Sequence, residues 1–183
     1  MKKLFFVRHG ETVLNAAGLF SGRTETSLTP NGKGQAREAG LKLLDKVPHI
    51  DLIICSTLSR TLETAQIIAD VIGYPKEEIV QNELFVERHW GEQEGQDYYE
   101  YVRNHNISDR ENIKGVETTP MLQTRAEKAY EYVKSLPQEN ILIVSHGSFG
   151  RSFKRVIDGH PHTHEYMKEY HFSIGNAEII ELI

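Results

Sequence analysis

Three short apolar runs, Leu4–Val7, Leu52–Cys55 and Ile141–Val144, are continuous rather than alternating. Strands covered on both faces read this way because neither side meets water, so the runs predict a mainly parallel sheet between helices. Between the runs the apolar period changes to three and four. Leu58, Leu62, Ala65, Ala69 and Ile72 make one face of a helix over about 57–72, which Gly73 and Pro75 should end. Leu122, Ala126, Ala129, Val133 and Leu136 repeat that spacing ahead of Pro137, and Phe149, Phe153 and Val156 face one way on a helix after His146. Thr29-Pro30 supplies an N-cap and first position for a helix over about 30–45, although Gly32, Gly34 and Gly40 weaken it. Ala177–Ile183 reads as a closing strand.

Alternation of strands and helices predicts an α/β layer fold, and 183 residues are most simply one domain spanning 1–183. Residues 91–118, rich in Glu, Asn, Tyr and Arg, have the weakest pattern; they predict a loop-and-helix excursion over the sheet edge, a candidate lid. In open α/β sheets, sites lie outside the carboxyl ends of strands. His9, Ser56 and His146 each follow one of the apolar runs, so all three are candidates to line a single crevice.

Composition narrows the class. Hydrophobic residues make up 39% and charged ones 26%, with a net charge of −5, so no diffuse basic field recruits nucleic acid or an anionic membrane. Any bound anion must be held by a local cluster of cations. Cys55 is the single cysteine, best explained by core packing, and no Cys/His spacing resembles a zinc site. His160-Pro161-His162-Thr163-His164 invites a metal reading, but the proline and alternating spacing suggest an exposed loop without a carboxylate partner. The apolar stretch after Met1-Lys2-Lys3 stops at Arg8, too short for a signal-peptide core, so a cytoplasmic location is expected.

The chemistry-bearing residues gather at the run ends. A phosphoryl-transfer site without metal needs a nucleophile, cations for the transferring oxygens and an acid for the departing alkoxide. His9 can attack through one ring nitrogen if the other is tied up as a donor. Arg8 and Arg60 offer planar forks that match phosphate, and Arg60 would sit in the first turn of its helix. Two nearby guanidiniums favour neutral imidazole. Glu87, in Leu84-Phe85-Val86-Glu87-Arg88-His89-Trp90-Gly91, lies in an aromatic-rich stretch that would suit a general acid. Tyr98, Tyr99 and Tyr101 either line a substrate pocket or fasten the excursion to the sheet.

Arg8-His9-Gly10-Glu11-Thr12 resembles the signature of the histidine phosphatase superfamily, the phosphoglycerate-mutase-like proteins. Further matches follow in order: Asn15 and Phe20-Ser21-Gly22, Leu28-Thr29-Pro30-Asn31-Gly32, Ser56 to Ala65 around Arg60, Leu84 to Gly95 around Glu87, Ser145-His146-Gly147, and Gly175-Asn176. Gly115-Val116-Glu117-Thr118 is similar to the family's Gly-Glu-Ser/Thr element with one residue inserted.

The resemblance implies a three-layer α/β/α sandwich with a mostly parallel central sheet. It also implies a metal-free phosphatase without cofactor that acts on a small phosphorylated metabolite as a monomer or homodimer. His9 would carry the phosphoryl group, Glu87 would be acid then base, and Arg8, Arg60 and His146 would clamp the group. Asn15, Ser21, Gly22 and the Gly147 backbone would add hydrogen bonds. Arg88 is read as a further substrate contact, a structural salt bridge being its alternative.

Two rival functions remain. A phosphoglycerate mutase would need a longer, more basic segment than residues 92–145, which hold Arg103, Arg110, Lys114, Arg125, Lys128 and Lys134 but no Arg-Arg pair. A non-catalytic phospho-ligand binder is disfavoured by the intact set His9, Arg60, Glu87 and His146.

Overall fold

The three apolar runs form the middle of a five-stranded sheet in a computed structural model that describes residues 2–160 and 172–183. Its strands are β1 (Lys3–Arg8), β2 (Leu52–Cys55), β3 (Val80–Gln81), β4 (Asn140–Ser145) and β5 (Ile179–Glu181), in the order β3-β2-β4-β1-β5. All neighbours run parallel except β5, which is antiparallel to β1. The closing strand is thus shorter than the apolar tail suggested. β3, only two residues long, carries too little pattern to read from sequence.

Alternate residues of the central strands point to opposite layers, as the pleat requires. Leu4, Phe6, Ile54, Ile141 and Ile143 meet α5 (Thr119–Ser135) and α6 (Gly147–Ile157) on one face. Phe5, Val7, Ile53, Leu142 and Val144 meet α2 (Pro30–Leu44) and α3 (Ser59–Ile72) on the other. The result is the expected α/β/α sandwich. Phe149 and Phe153 are fully buried under α6, each worth about 1.5–3 kcal/mol of apolar burial. Cys55 belongs to the opposite layer, and burial pushes its thiol up to about 12, so it stays protonated.

Helix boundaries follow local chemistry. Thr29 and Thr118 cap α2 and α5 through their hydroxyls, each ahead of a proline in the first turn. α3 starts at Ser59, and Gly73 ends it in the left-handed conformation. Two of the three glycines of α2, Gly32 and Gly40, permit close approach. A Cβ on Gly32 would run into the Glu11 carbonyl oxygen, one on Gly40 into the Val71 side chain, and one on Gly10 into the Gly32 carbonyl oxygen. The loop after β1 is therefore seated directly on the start of α2.

The excursion contains α4 (Tyr98–Asn104) flanked by two 3-10 turns, Gly91–Gln93 and Ile107–Asn112. It folds over the carboxyl ends of the strands rather than the sheet's side. Phe20 N donates to Gln96 O and Tyr98 N to Gly18 O, while Phe20 packs against Trp90, Tyr98 and Tyr101. The loop after β1 that carries α1 (Val13–Ala16) is thereby tied to the excursion. Among the described residues no helix is long and apolar enough to cross a membrane. Of the His160–His164 stretch, all but His160 lie outside the described residues.

Candidate active site

Strand order brings the two His-Gly pairs together. β1 and β4 are neighbours with Arg8 opposite Ser145, so His9 and His146 are the first residues past two adjacent strand ends. His9 N donates to Ser145 O at 2.9 Å, and the imidazole rings meet edge to face, centroids 5.2 Å apart.

His9 Nδ1 lies 2.7 Å from Gly10 O. A carbonyl can only accept, so Nδ1 carries the proton and Nε2 keeps its lone pair. Burial first, then the charges of Arg60 and Arg8, hold the His9 pKa well below the ordinary imidazole value. The neutral tautomer with a free Nε2 is the one a nucleophile requires. Thr64 supports the turn by accepting from Gly10 N at 3.1 Å.

Arg60 projects from the first turn of α3 and is almost fully buried. Its Nη2 donates to Gly22 O at 2.6 Å and its Nη1 to Thr24 O at 3.0 Å, so it also pins the loop containing Ser21 and Gly22. Arg8 Nη1 donates to Ile174 O at 3.0 Å. Desolvation lowers the pKa of both guanidiniums, opposed chiefly by Glu87. Buried polar atoms without a partner among the described residues gather here: Arg8 Nε, Ser21 Oγ, Arg60 Nε and His146 Nδ1. Leaving such atoms unpaired is costly, about 1–3 kcal/mol each, unless a ligand completes them.

Glu87 occupies the start of α6. Its Oε1 accepts from Phe149 N at 2.9 Å and Arg88 N at 2.8 Å, and its Oε2 from Ser148 N at 3.1 Å. The carboxyl group is therefore held by backbone N–H groups, not by the aromatic wall that its sequence neighbours suggested. Its backbone is fixed from behind: Arg125 Nη1 donates to Leu84 O and Val86 O, and Arg23 Nε to Glu87 O. Glu117 joins these two arginines, accepting from Arg125 Nε and Nη2 at 2.7 Å each and from Arg23 Nη2 at 3.2 Å.

Arg8, His9, Asn15, Ser21, Gly22, Arg60, Glu87 and Gly147 all line one crevice of about 370 Å³. Three residues named with them do not. His146 is fully buried behind His9, with Nε2 2.7 Å from Ser56 Oγ, and Ser56 is buried with it. Arg88 turns away from the crevice. Its Nη2 pairs with Glu111 at 3.0 Å, its Nε donates to Glu117 O at 2.8 Å, and its guanidinium stacks on Trp90 at 4.5 Å. The structural salt bridge thus replaces the substrate contact.

The tyrosines divide. Tyr98 and Tyr99 line the crevice, whereas Tyr101 is buried and fastens the excursion to Phe20. Asn176 also lines the crevice, donating to His9 O at 3.1 Å, and so do Ser148, Arg110 and Arg151. No spacing rule joins these last residues, since three separate segments deliver them.

The chain is similar to known proteins in sequence and fold. The chain is 31% identical over 160 residues to an uncharacterized phosphatase, PhoE, of Bacillus subtilis, covering 87% of this chain and 79% of that one. It is 30% identical over 170 residues to a 2,3-bisphosphoglycerate-dependent phosphoglycerate mutase of Parvibaculum lavamentivorans, covering 85% and 79%. Its fold is similar to that of a phosphoserine phosphatase from Entamoeba histolytica solved in complex with phosphoserine. That similarity has a TM-score of 0.78 at 27% identity, over 98% of this chain and 89% of the other. The model of the histidine phosphatase superfamily (branch 1) matches residues 4–182, and the chain belongs to that family.

Proposed function

We propose that this protein is a metal-independent phosphatase that hydrolyses a small phosphomonoester through a phosphohistidine on His9. The observation that carries the reading is the His9 ring itself: Nδ1 bonded to Gly10 O, Nε2 free, and two guanidiniums lining the same crevice.

The phosphoryl oxygens bind Arg8, Arg60, Ser21, Asn15 and the Gly147 N–H, with His146 donating from behind. Nε2 of His9 attacks phosphorus in line as the ester P–O bond breaks, and protonated Glu87 gives its proton to the departing oxygen. Glu87, now a carboxylate, then takes a proton from water as that water attacks phosphorus. The P–N bond breaks, releasing phosphate and neutral His9. Guanidinium and N–H donors aimed at the transferring oxygens stabilise charge as it develops, so the chemistry needs no metal ion.

Transfer to water, rather than back to a phosphoglycerate hydroxyl, is favoured because residues 92–145 are a short segment without the adjacent Arg-Arg pair expected of a mutase's extra basic segment. His9→Ala should abolish p-nitrophenyl phosphate hydrolysis while circular dichroism shows an intact fold. Undiminished turnover would refute the nucleophile assignment. Faster interconversion of 3- and 2-phosphoglycerate than phosphate release by the wild-type protein would refute hydrolysis in favour of the mutase.

A further inference from the structure

The crevice holds more positive charge than a phosphoryl group can use. Four guanidiniums line it, those of Arg8, Arg60, Arg110 and Arg151, against the one carboxyl group of Glu87. A phosphate monoester carries about −1.5 to −2 near neutral pH. Arg8 and Arg60 balance that charge, and Glu87, whose carboxyl group is already bonded by three backbone N–H groups, offsets at most one more, so the positive charge of Arg110 and Arg151 is not fully answered.

Their surroundings do not account for them. The nearby Arg23, Arg88 and Arg125 are each paired with a carboxylate, Glu117 or Glu111. Arg110 and Arg151 form no ion pair among the described residues. Arg110 comes from the excursion, with its guanidinium 5.9 Å from the centre of the Trp90 ring. Arg151 lies one helical turn beyond Gly147 on the same face of α6, and among the described residues its guanidinium makes one hydrogen bond, from Nη2 to Ser148 Oγ at 3.3 Å. It is close enough for its charge to help lower the pKa of Arg8. Like charges converging on one cavity repel, and the repulsion is relieved by an anion between them.

We propose that Arg110 and Arg151 form a second anion subsite that reads a negatively charged group on the leaving alcohol, so that the substrates are small phosphomonoesters bearing a carboxylate or a second phosphate. This rests on the phosphatase reading for the orientation of the ester, with its phosphoryl group on Arg8 and Arg60. Arginine forks suit both oxyanions, and a cavity of about 370 Å³ limits the alcohol to a few carbons or one sugar ring. Planar Tyr98 and Tyr99 flank the same space.

The test compares esters that differ only in the charge of that group. Binding to the His9→Ala protein is measured by calorimetry for 3-phosphoglycerate against glycerol 3-phosphate, and for glucose 1,6-bisphosphate against glucose 6-phosphate. The subsite predicts that at least one charged member binds about tenfold or more tightly than its partner. The first pair reports a carboxylate and the second a phosphate. In Arg110→Gln, Arg151→Gln and the double variant, that ratio should fall towards unity. A ratio near one for both pairs overturns the proposal, as does a preference that survives in the double variant. The same ratios in kcat/KM of the wild-type protein provide a check that does not depend on the folding of His9→Ala. Because the binding comparison needs no turnover, its result stands apart from the phosphatase reading, whose failure shows as absent phosphate release from every ester.

Discussion

Ser56 Oγ and His146 Nε2 lie 2.7 Å apart beyond the ends of the neighbouring strands β2 and β4. The bond decides where the His146 proton resides. Thr61 Oγ1 is within reach of two carbonyls, Ser56 O at 3.0 Å and Leu58 O at 2.8 Å, and Leu58 N–H already donates to Ser56 Oγ. When Ser56 donates to Nε2, the proton of His146 sits on Nδ1, a buried atom with no partner among the described residues and the right polarity for an anion. Ser56→Ala should therefore lower kcat/KM by about tenfold to a hundredfold and stability by about 1–3 kcal/mol. Nitrogen NMR of the phosphate-bound wild type should show His146 as the Nδ1–H tautomer. An Nε2–H tautomer there would remove the basis of this prediction.

The two histidines also set a pH response. Burial holds both pKa values well below the ordinary 6.5, with Arg60 the next cause in each case. The unfolded chain binds a proton at each histidine as pH falls through about 6.5, and the folded protein does not. Stability is thus full above that pH and declines below it, by up to about 1.4 kcal/mol per unit and histidine. Urea midpoints should fall between pH 7.5 and 5.5, and less steeply in His146→Gln. The carboxylates with lowered pKa, Asp51, Glu94, Glu111 and Glu117, add their own loss only nearer pH 4. Midpoints independent of pH over that interval would show that neither histidine is held neutral.

Arg125 and Glu117 carry the third prediction. Both are largely buried and joined by two hydrogen bonds, and together with Arg23 they hold the backbone leading to Glu87. Removing Arg125 leaves Glu117 with the more exposed Arg23 as its remaining ion-pair partner among the described residues, so Arg125→Met should cost up to about 3–5 kcal/mol in chemical denaturation. It should also lower kcat on alkyl phosphates, because the acid loses its footing. A stability loss with kcat unchanged would separate this network from the position of Glu87.

These residues mark the limit of what the sequence carries. The three strands and the four long helices were legible because burial on two faces and helical spacing are local patterns, whereas the His9–Arg60–Glu87–Gly147 grouping came chiefly from the resemblance of ordered motifs to a known family. Glu117 was visible only as part of a motif. Its partners Arg23 and Arg125 stand 94 and 8 positions away, and nothing in either segment announces the meeting. Arg88 was left between substrate contact and structural salt bridge for the same reason: its pairing with Glu111 depends on how the excursion folds back. Two of the three glycines of α2, taken as weaknesses of the helix, are contact points: Gly32 for the loop after β1 and Gly40 for α3.

Glu87 gives the most discriminating experiment, because it is assigned two jobs. Glu87→Gln retains an oxygen for Phe149 N and Arg88 N but can neither donate the leaving-group proton nor accept one from water. p-Nitrophenolate leaves without protonation, whereas an alkoxide does not. kcat/KM, which reports the first transfer, should fall about 10²–10⁴-fold for an alkyl phosphate and far less for p-nitrophenyl phosphate. The second transfer still needs the base, so kcat should fall for both esters. Rapid mixing with p-nitrophenyl phosphate should then give a burst of p-nitrophenolate close to one per enzyme, with acid-labile phosphate accumulating on His9. Equal losses in kcat/KM on the two esters, with no burst, would remove Glu87 from proton transfer and leave it as a brace for the start of α6.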